Sequence, residues 1–174
     1  MREEARGAQS RLNKRGSPST RLDTTSNDYI GDLAHQAVEI CLKNAGYQYQ
    51  STRLESYTQG GDQFDVRVLD KKFDIKGTRL PDDYFYVYSK NAHNPSKEIT
   101  DYLFVQITRD DQTAYIYGFI NKADLISQAK EFPAGTGFNF NHDNLGIPLY
   151  KLDSLMHWLD VDPLFLFADA VIVE

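Results

Sequence analysis

Two acidic residues and one lysine lie on neighbouring predicted strands, residues 63–69 and 72–77. Alternation of apolar and polar side chains places Asp65 on the polar face of the first strand, and Asp74 and Lys76 on the polar face of the second. A tight reversal between the strands pairs them antiparallel, so facing residues lie within about 5.5 Å and diagonal ones within about 8 Å. The sequence therefore predicts that two carboxylates and one ammonium converge on one sheet face.

These three groups suit the hydrolysis of a phosphodiester with the help of hard cations. Two carboxylates repel one another unless a cation lies between them, and such a pair commonly binds Mg²⁺ or Mn²⁺. The cation lowers the pKa of a bound water and neutralises charge on the phosphorus oxygens. In this interpretation Asp65 and Asp74 are metal ligands, the backbone carbonyl of Ile75 is a further ligand, and Lys76 orients the water. The alternative is an exposed hairpin whose charge pair contributes well under about 1 kcal/mol.

A helix is predicted before this hairpin, because apolar residues recur at helical spacing over residues 29–42. Ser26 or Asn27 can cap its start, and residues 44–46 end it. A second, polar stripe along the helix contains His35 and Glu39, with Gly31 allowing close approach near the start. This stripe faces either solvent or a polar site.

After the helix the period changes to two, which predicts a series of strands joined by tight turns. We expect neighbouring strands to pair antiparallel. Asn121 can cap a short helix, residues 122–130, which Pro133 ends, and residues 131–146 read as a surface loop. The chain then continues through an amphipathic piece and a late strand. The strand candidates are residues 47–57 with a break, 63–69, 72–77, 84–88, 102–108, 113–120 and 164–173.

The spacing from Asp65 to Asp74-Ile75-Lys76, with the DIKG ending, resembles the signature of the PD-(D/E)XK superfamily of restriction-endonuclease-like nucleases. The resemblance covers about residues 27–120. It implies an α/β (α+β) fold with a central mixed sheet flanked by helices, and a Mg²⁺- or Mn²⁺-dependent endonuclease acting on DNA. The resemblance also implies that Asp65 and Asp74 bind metal and that Lys76 is the catalytic lysine.

This chain departs from the family pattern at two positions. Phe64 stands where the family's proline precedes the first aspartate, which is a tolerated variation. His35 stands where relatives with a Gly-x-x-x-Glu helix carry the acid, one turn before Glu39. Either Glu39 completes the metal site or His35 contributes as a ligand or proton acceptor. We favour Glu39, because a carboxylate suits Mg²⁺ better than imidazole does.

Three further residues are candidates for contact with nucleic acid. Arg79 and Lys90 flank the predicted site and could position phosphates, although a solvated surface charge is an equal alternative for each. Gln106 lies in a later strand, where some members of the resembled family carry a functional glutamine.

The 174 residues suffice for one domain, residues 27–174, after a flexible basic arm, residues 1–26. Residues 1–22 hold six basic and two acidic side chains, a net charge of +4, which leaves −10 for the remainder of a chain with a net charge of −6. The single cysteine, Cys41, lies on the apolar stripe of the helix and is expected to be buried. There is no apolar run long enough for a membrane helix, so we expect a soluble, cytoplasmic protein.

Two classes of function stay open on the sequence. The first is the metal-dependent DNA endonuclease, with RNA as an alternative substrate and a homodimer as the arrangement that a double-strand cut would need. The second is a weak or inactive nuclease-like fold that serves as a nucleic-acid or protein binding module. The acidic body favours this second class, because affinity for nucleic acid comes largely from Lys and Arg contacts to phosphates.

Overall fold

The computed structural model describes most of the chain from the first long helix onward. The predicted arm falls largely outside this part. The helix α1, Leu22–Asn44, includes residues 22–26, so Ser26 and Asn27 lie inside the helix and do not cap its start. The late strand predicted at residues 164–173 and the second half of the 47–57 candidate also lie outside the described residues, which are 22–52, 63–79, 83–109, 111, 113–136 and 140–160.

A five-stranded mixed sheet forms the centre of the molecule, as predicted. Its strands are β1, Tyr49–Ser51; β2, Val66–Val68; β3, Lys71–Thr78; β5, Asp101–Ile107; and β6, Ala114–Asn121, in the order β1-β2-β3-β5-β6. The consecutive strands β1–β2, β2–β3 and β5–β6 pair antiparallel as expected. Strands β3 and β5 are not consecutive and run parallel, because the chain crosses to a second sheet before it returns beside β3.

Helix α1 packs on one face of this sheet through its apolar stripe. Leu33, Ala34 and Val38 are buried against inward side chains of the central strands, including Phe73 and Ile75. The sequence predicted that the helix approaches the sheet closely at Gly31, but the close approach is at Gly77 of β3. A Cβ at Gly77 would lie 2.8 Å from the backbone oxygen of Ile30, whereas one at Gly31 would have nothing within 4 Å. Gly77 therefore fixes how closely the helix sits over the end of β3.

A second, three-stranded antiparallel sheet covers part of the opposite face. Its order is β4-β8-β7, formed by Tyr84–Tyr88, Asn144–Pro148 and Lys130–Phe132 respectively. Phe85 of β4 stacks on Phe104 of β5 with ring centroids 4.8 Å apart, which joins the two sheets. The central sheet is therefore flanked by a helix on one face and by a small sheet on the other.

The predicted loop over residues 131–146 is wrong where β7 and β8 form. The preceding helix α3, Lys122–Gln128, is capped by the Asn121 side chain as predicted, but it ends before the strand β7 and not at Pro133. Three residues are too few to show a period of two, so the sequence could not reveal β7. Phe132 stabilises it by packing edge-on against Tyr84 and Tyr86.

The remaining described elements are short. The turn α2, Ser89–Ala92, follows β4, a 3₁₀ turn spans Leu149–Lys151, and α4, Leu155–Trp158, packs beneath the central sheet. Cys41 is buried as predicted, and burial raises the pKa of its thiol to about 11, which makes it an inert core residue. None of the described helices has the length and apolar character needed to cross a membrane.

Candidate metal and phosphodiester site

Asp65 is fixed at the junction of three strands, just before β2 begins. Its backbone N–H donates to the carbonyl of Phe73 on β3 at 2.8 Å, and its own carbonyl accepts from the N–H of Thr52 at 3.0 Å. Its carboxylate reaches across to β3, where Oδ2 accepts the backbone N–H of Ile75 at 2.6 Å. The side chain is thus directed towards the strand that carries Asp74 and Lys76.

Asp74 and Lys76 share the face of β3 opposite the helix. Phe73 and Ile75 point into the core beneath α1, so the alternate residues point the other way. The Nζ of Lys76 donates to Oδ1 of Asp74 at 2.6 Å. Asp74 is only 7% exposed while Lys76 is 28% exposed, so the lysine forms the solvent-facing side of the group.

The electrostatics of this group are unbalanced. Burial, and then the charge of Asp74, raise the pKa of Asp65 to about 7, although Lys76 and the Ile75 N–H act against this rise. For Lys76, burial lowers the pKa, but the charges of Asp74 and Asp65 outweigh it and the net shift is upward. Two carboxylates therefore share one ammonium, and a proton remains on the pair near neutral pH.

The donor set fits a divalent cation. Besides its bond to Lys76, Asp74 has a second oxygen, Oδ2, which is buried and lacks a hydrogen-bond partner once both carboxyls are ionised. An unpaired buried oxygen costs roughly 1–3 kcal/mol, which a hard cation would relieve. Asp65 supplies the second carboxylate. We call these three residues, Asp65, Asp74 and Lys76, the β3 site.

The helix residues predicted to complete the metal site lie in a different group. The Nε2 of His35 is 3.2 Å from the Ser51 hydroxyl and 3.7 Å from Oε1 of Glu39. Among residues 22–52, 63–79 and the later described ranges, no group of three or more His, Cys, Asp or Glu could hold a metal ion. The structure thus brings Asp65, Asp74 and Lys76 together, and it does not join Glu39 or His35 to them as a third ligand.

The three predicted nucleic-acid contacts have different environments. Arg79 is engaged inside the protein, donating to the Thr108 carbonyl at 2.7 Å and pairing with Asp111. Lys90 is exposed and lines an open depression of about 560 Å³ at the far end of β4. Gln106 lies on the same face as the β3 site, and its Oε1 accepts the hydroxyl of Tyr117 at 2.7 Å.

Tyr102 is a neighbour of the site that the sequence reasoning missed. It pairs with Asp74 in the parallel register of β3 and β5, is fully buried, and its hydroxyl has no hydrogen-bond partner. Burial, and then the charge of Asp74, raise its pKa well above the ordinary value, so it stays a neutral phenol. Alternation within residues 102–108 predicted a strand, but only the parallel pairing could reveal the contact.

No protein-family model, curated protein or solved structure matches this chain. The case for its function therefore rests on the geometry of the β3 site.

Proposed function

We propose that this chain is a metal-dependent endonuclease that hydrolyses phosphodiester bonds in DNA on a restriction-endonuclease-like core. The observation that carries the proposal is the meeting of Asp65, Asp74 and Lys76 on one face of the β2–β3 ribbon. A mixed sheet with a helix on the opposite face supports the fold assignment.

Asp65 and Asp74, with the carbonyl of Ile75, are the groups that would hold Mg²⁺ or Mn²⁺. When bound, such a cation would lower the pKa of an attacking water and neutralise charge on the phosphoryl oxygens. The Ile75 N–H fixes the direction of the Asp65 carboxylate before any ligand arrives. Neither Glu39 nor His35 on the helix is a ligand in this proposal, because no third acid or histidine joins the two aspartates among the described residues.

Lys76 acts as a charged donor in this proposal. Without a bound cation the charges of the two acids raise its pKa, so the amine is protonated near neutral pH. Its partly exposed ammonium can orient the attacking water and stabilise negative charge that develops on a phosphoryl oxygen. In the reaction, the water oxygen bonds to phosphorus, one phosphorus–oxygen ester bond breaks, and the leaving oxygen takes up a proton.

A cleavage assay tests this function directly. The purified full chain is incubated with supercoiled, linear, branched and single-stranded DNA in Mg²⁺ or Mn²⁺, next to Asp74→Asn. We expect cleavage by the wild type and none above background by the variant. Asp70→Asn is a matched control, because Asp70 is an exposed acid in the turn of the same hairpin. Intact DNA in every wild-type reaction would rule out the proposal.

One observation favours the second candidate, an inactive nuclease-like binding module. Within the described ranges no third acid joins Asp65 and Asp74, and Lys76 already neutralises part of their charge. Titration calorimetry with Mn²⁺ separates the two functions. The enzyme binds Mn²⁺ and loses this binding in Asp74→Ala, whereas the module gives no metal heat.

Substrate and assembly belong to the same proposal. DNA is the proposed substrate, and RNA added to the cleavage assay tests the alternative. A double-strand cut needs two sites and hence a homodimer, which sedimentation measures. We place this activity in the cytoplasm.

A further inference from the structure

Four cations on or beside strand β3 are paired within the protein, whereas Arg67 of β2 is exposed. Lys71 bonds to Asp101 at 2.8 Å, and Lys72 pairs with Glu98. Lys76 and Arg79 pair with Asp74 and Asp111, as described above. Outside residues 1–22 the chain has a net charge of −10. The four paired cations are poorly placed to contact phosphates, so base stacking would add to the affinity that Arg67 can supply.

Two exposed tyrosines lie on the edge strand β6. Tyr115 is 55% exposed and Tyr117 is 41% exposed. Ile116 between them packs against the core beneath α1, so Tyr115, which pairs with Gln106, points to the opposite face, while Tyr117 is the extra residue of a bulge. Tyr117 confirms this direction, because its ring lies edge-on against Phe85 of the second sheet, with centroids 5.3 Å apart.

This is the sheet face that carries Asp74 and Lys76. Gln106 of β5 connects them: it pairs in register with Thr78, two residues after Lys76 on β3, and with Tyr115 on β6. Strands β3 and β6 are separated by two strand spacings, or about 10 Å. The hydroxyl of Tyr117 donates to Gln106, which restricts the orientation of its ring. We call Gln106, Tyr115 and Tyr117 the tyrosine face.

From this continuity we infer that the tyrosine face stacks unpaired bases of a single-stranded nucleic acid whose backbone crosses the β3 site. The inference rests on the proposed function and specifies its substrate class. Stacking on an aromatic ring tolerates any base and needs no cation, which suits a surface whose neighbouring lysines and arginine are paired. In a duplex the bases are already stacked on one another and offer no free face to these rings.

Fluorescence anisotropy with a labelled oligo(dT) and a duplex of equal length tests the inference. The full chain is titrated in EDTA, so that binding is measured without cleavage. We expect tighter binding to oligo(dT) than to the duplex. Tyr115→Ala should weaken oligo(dT) binding about tenfold, and Tyr115→Phe should bind like the wild type because it keeps the ring.

Tyr150→Ala is the matched control, since Tyr150 is 83% exposed on the 3₁₀ turn and lies outside the tyrosine face. Its oligo(dT) affinity should equal that of the wild type. Tyr117→Ala should weaken binding as Tyr115→Ala does. If Tyr117→Ala fails to fold for lack of its packing on Phe85, the highly exposed Tyr115 carries the test alone.

Unchanged oligo(dT) affinity in Tyr115→Ala, or tighter binding of the duplex, would overturn the inference. So would a wild-type dimer that Tyr115→Ala converts to a monomer while oligo(dT) affinity stays the same, because the face would then join two copies of the chain. If the wild type cleaves DNA and the tyrosine variants keep its affinity, the base-stacking inference is contradicted and the proposed nuclease function is supported. If oligo(dT) binding depends on the tyrosines but no DNA is cleaved, the proposed nuclease function is contradicted and the base-stacking inference is supported.

Discussion

The strands β3 and β5 carry two buried pairs of aspartate and lysine that differ in charge balance. At one end Asp101, 1% exposed, bonds to Lys71 at 2.8 Å, with the rings of Phe119 and Trp158 beside the ammonium. On the other face Asp74 bonds to Lys76 at 2.6 Å. In both pairs the second carboxylate oxygen is buried without a partner. An unpaired oxygen is therefore not enough to distinguish a candidate metal site from a structural ion pair.

The difference is the second acid. The Lys71–Asp101 pair is neutral, and two aromatic rings provide additional stabilisation for its cation. At the β3 site Asp65 adds a carboxylate that Lys76 cannot also neutralise, and its pKa rises to about 7. On this sheet, charge imbalance indicates a ligand-binding role more than burial of charge does.

The largest expected effect is on cleavage in Asp74→Asn. Removing one of two carboxylates should lower the rate at least about 1000-fold, equivalent to about 4 kcal/mol, because the cation loses its charge complement. Stability should stay the same or increase, since the repulsion with Asp65 disappears. Cleavage rates and thermal melts measure both quantities. If Asp74→Asn is destabilised but still cleaves DNA, the β3 site is a structural ion pair like Lys71–Asp101.

Asp101→Asn should show the reverse pattern. It leaves the Lys71 ammonium without its counter-charge in a largely buried position, which should cost about 3 kcal/mol of unfolding free energy. The folded fraction should cleave DNA at the wild-type rate. Urea denaturation reports the stability and the cleavage assay the activity. Loss of cleavage in a fully folded variant would remove the distinction between the two pairs.

The two regions should also differ in pH dependence. The pKa of Asp65 is about 7 in the folded protein and 3.8 in an unfolded chain, so between these values the folded state keeps a proton that the unfolded state has lost. Stability should therefore fall as pH rises from about 4 to 7, by roughly 2–4 kcal/mol, because each unit of pKa difference corresponds to about 1.4 kcal/mol. Denaturation curves across this range should show the slope in the wild type and lose it in Asp65→Asn. An equal slope in both would contradict the assignment.

The smallest effects should come from two glycines, Gly77 at the contact between α1 and β3, and Gly31 on α1 where a Cβ would meet nothing. In Gly77→Ala the new Cβ meets the Ile30 carbonyl at 2.8 Å and Ala34 at 2.9 Å, which should cost about 1–2 kcal/mol. Gly31→Ala meets nothing within 4 Å and should gain up to about 1 kcal/mol from helix propensity. Thermal melts measure both changes. Equal effects would show that the helix does not depend on the close approach at Gly77.

Features that depend on residues close together in the chain could be predicted from the sequence. Alternation placed Asp74 and Lys76 on one face of a strand, and the Asn121 cap followed from its position before a helix. The parallel pairing of β3 with β5 is a contact between distant residues, so Tyr102 could not be placed beside Asp74. Residues 131–146 looked like a loop because their glycines and asparagines obscure two short strands.

The distinction between a neutral pair and an unbalanced site is tested most directly by a crystal of the wild-type protein soaked in Mn²⁺. An anomalous difference map locates manganese without any assumption about activity. We expect a manganese peak between the carboxylates of Asp65 and Asp74, and none beside Asp101. Absence of density at the β3 site, or a peak beside Asp101 alone, would contradict this distinction.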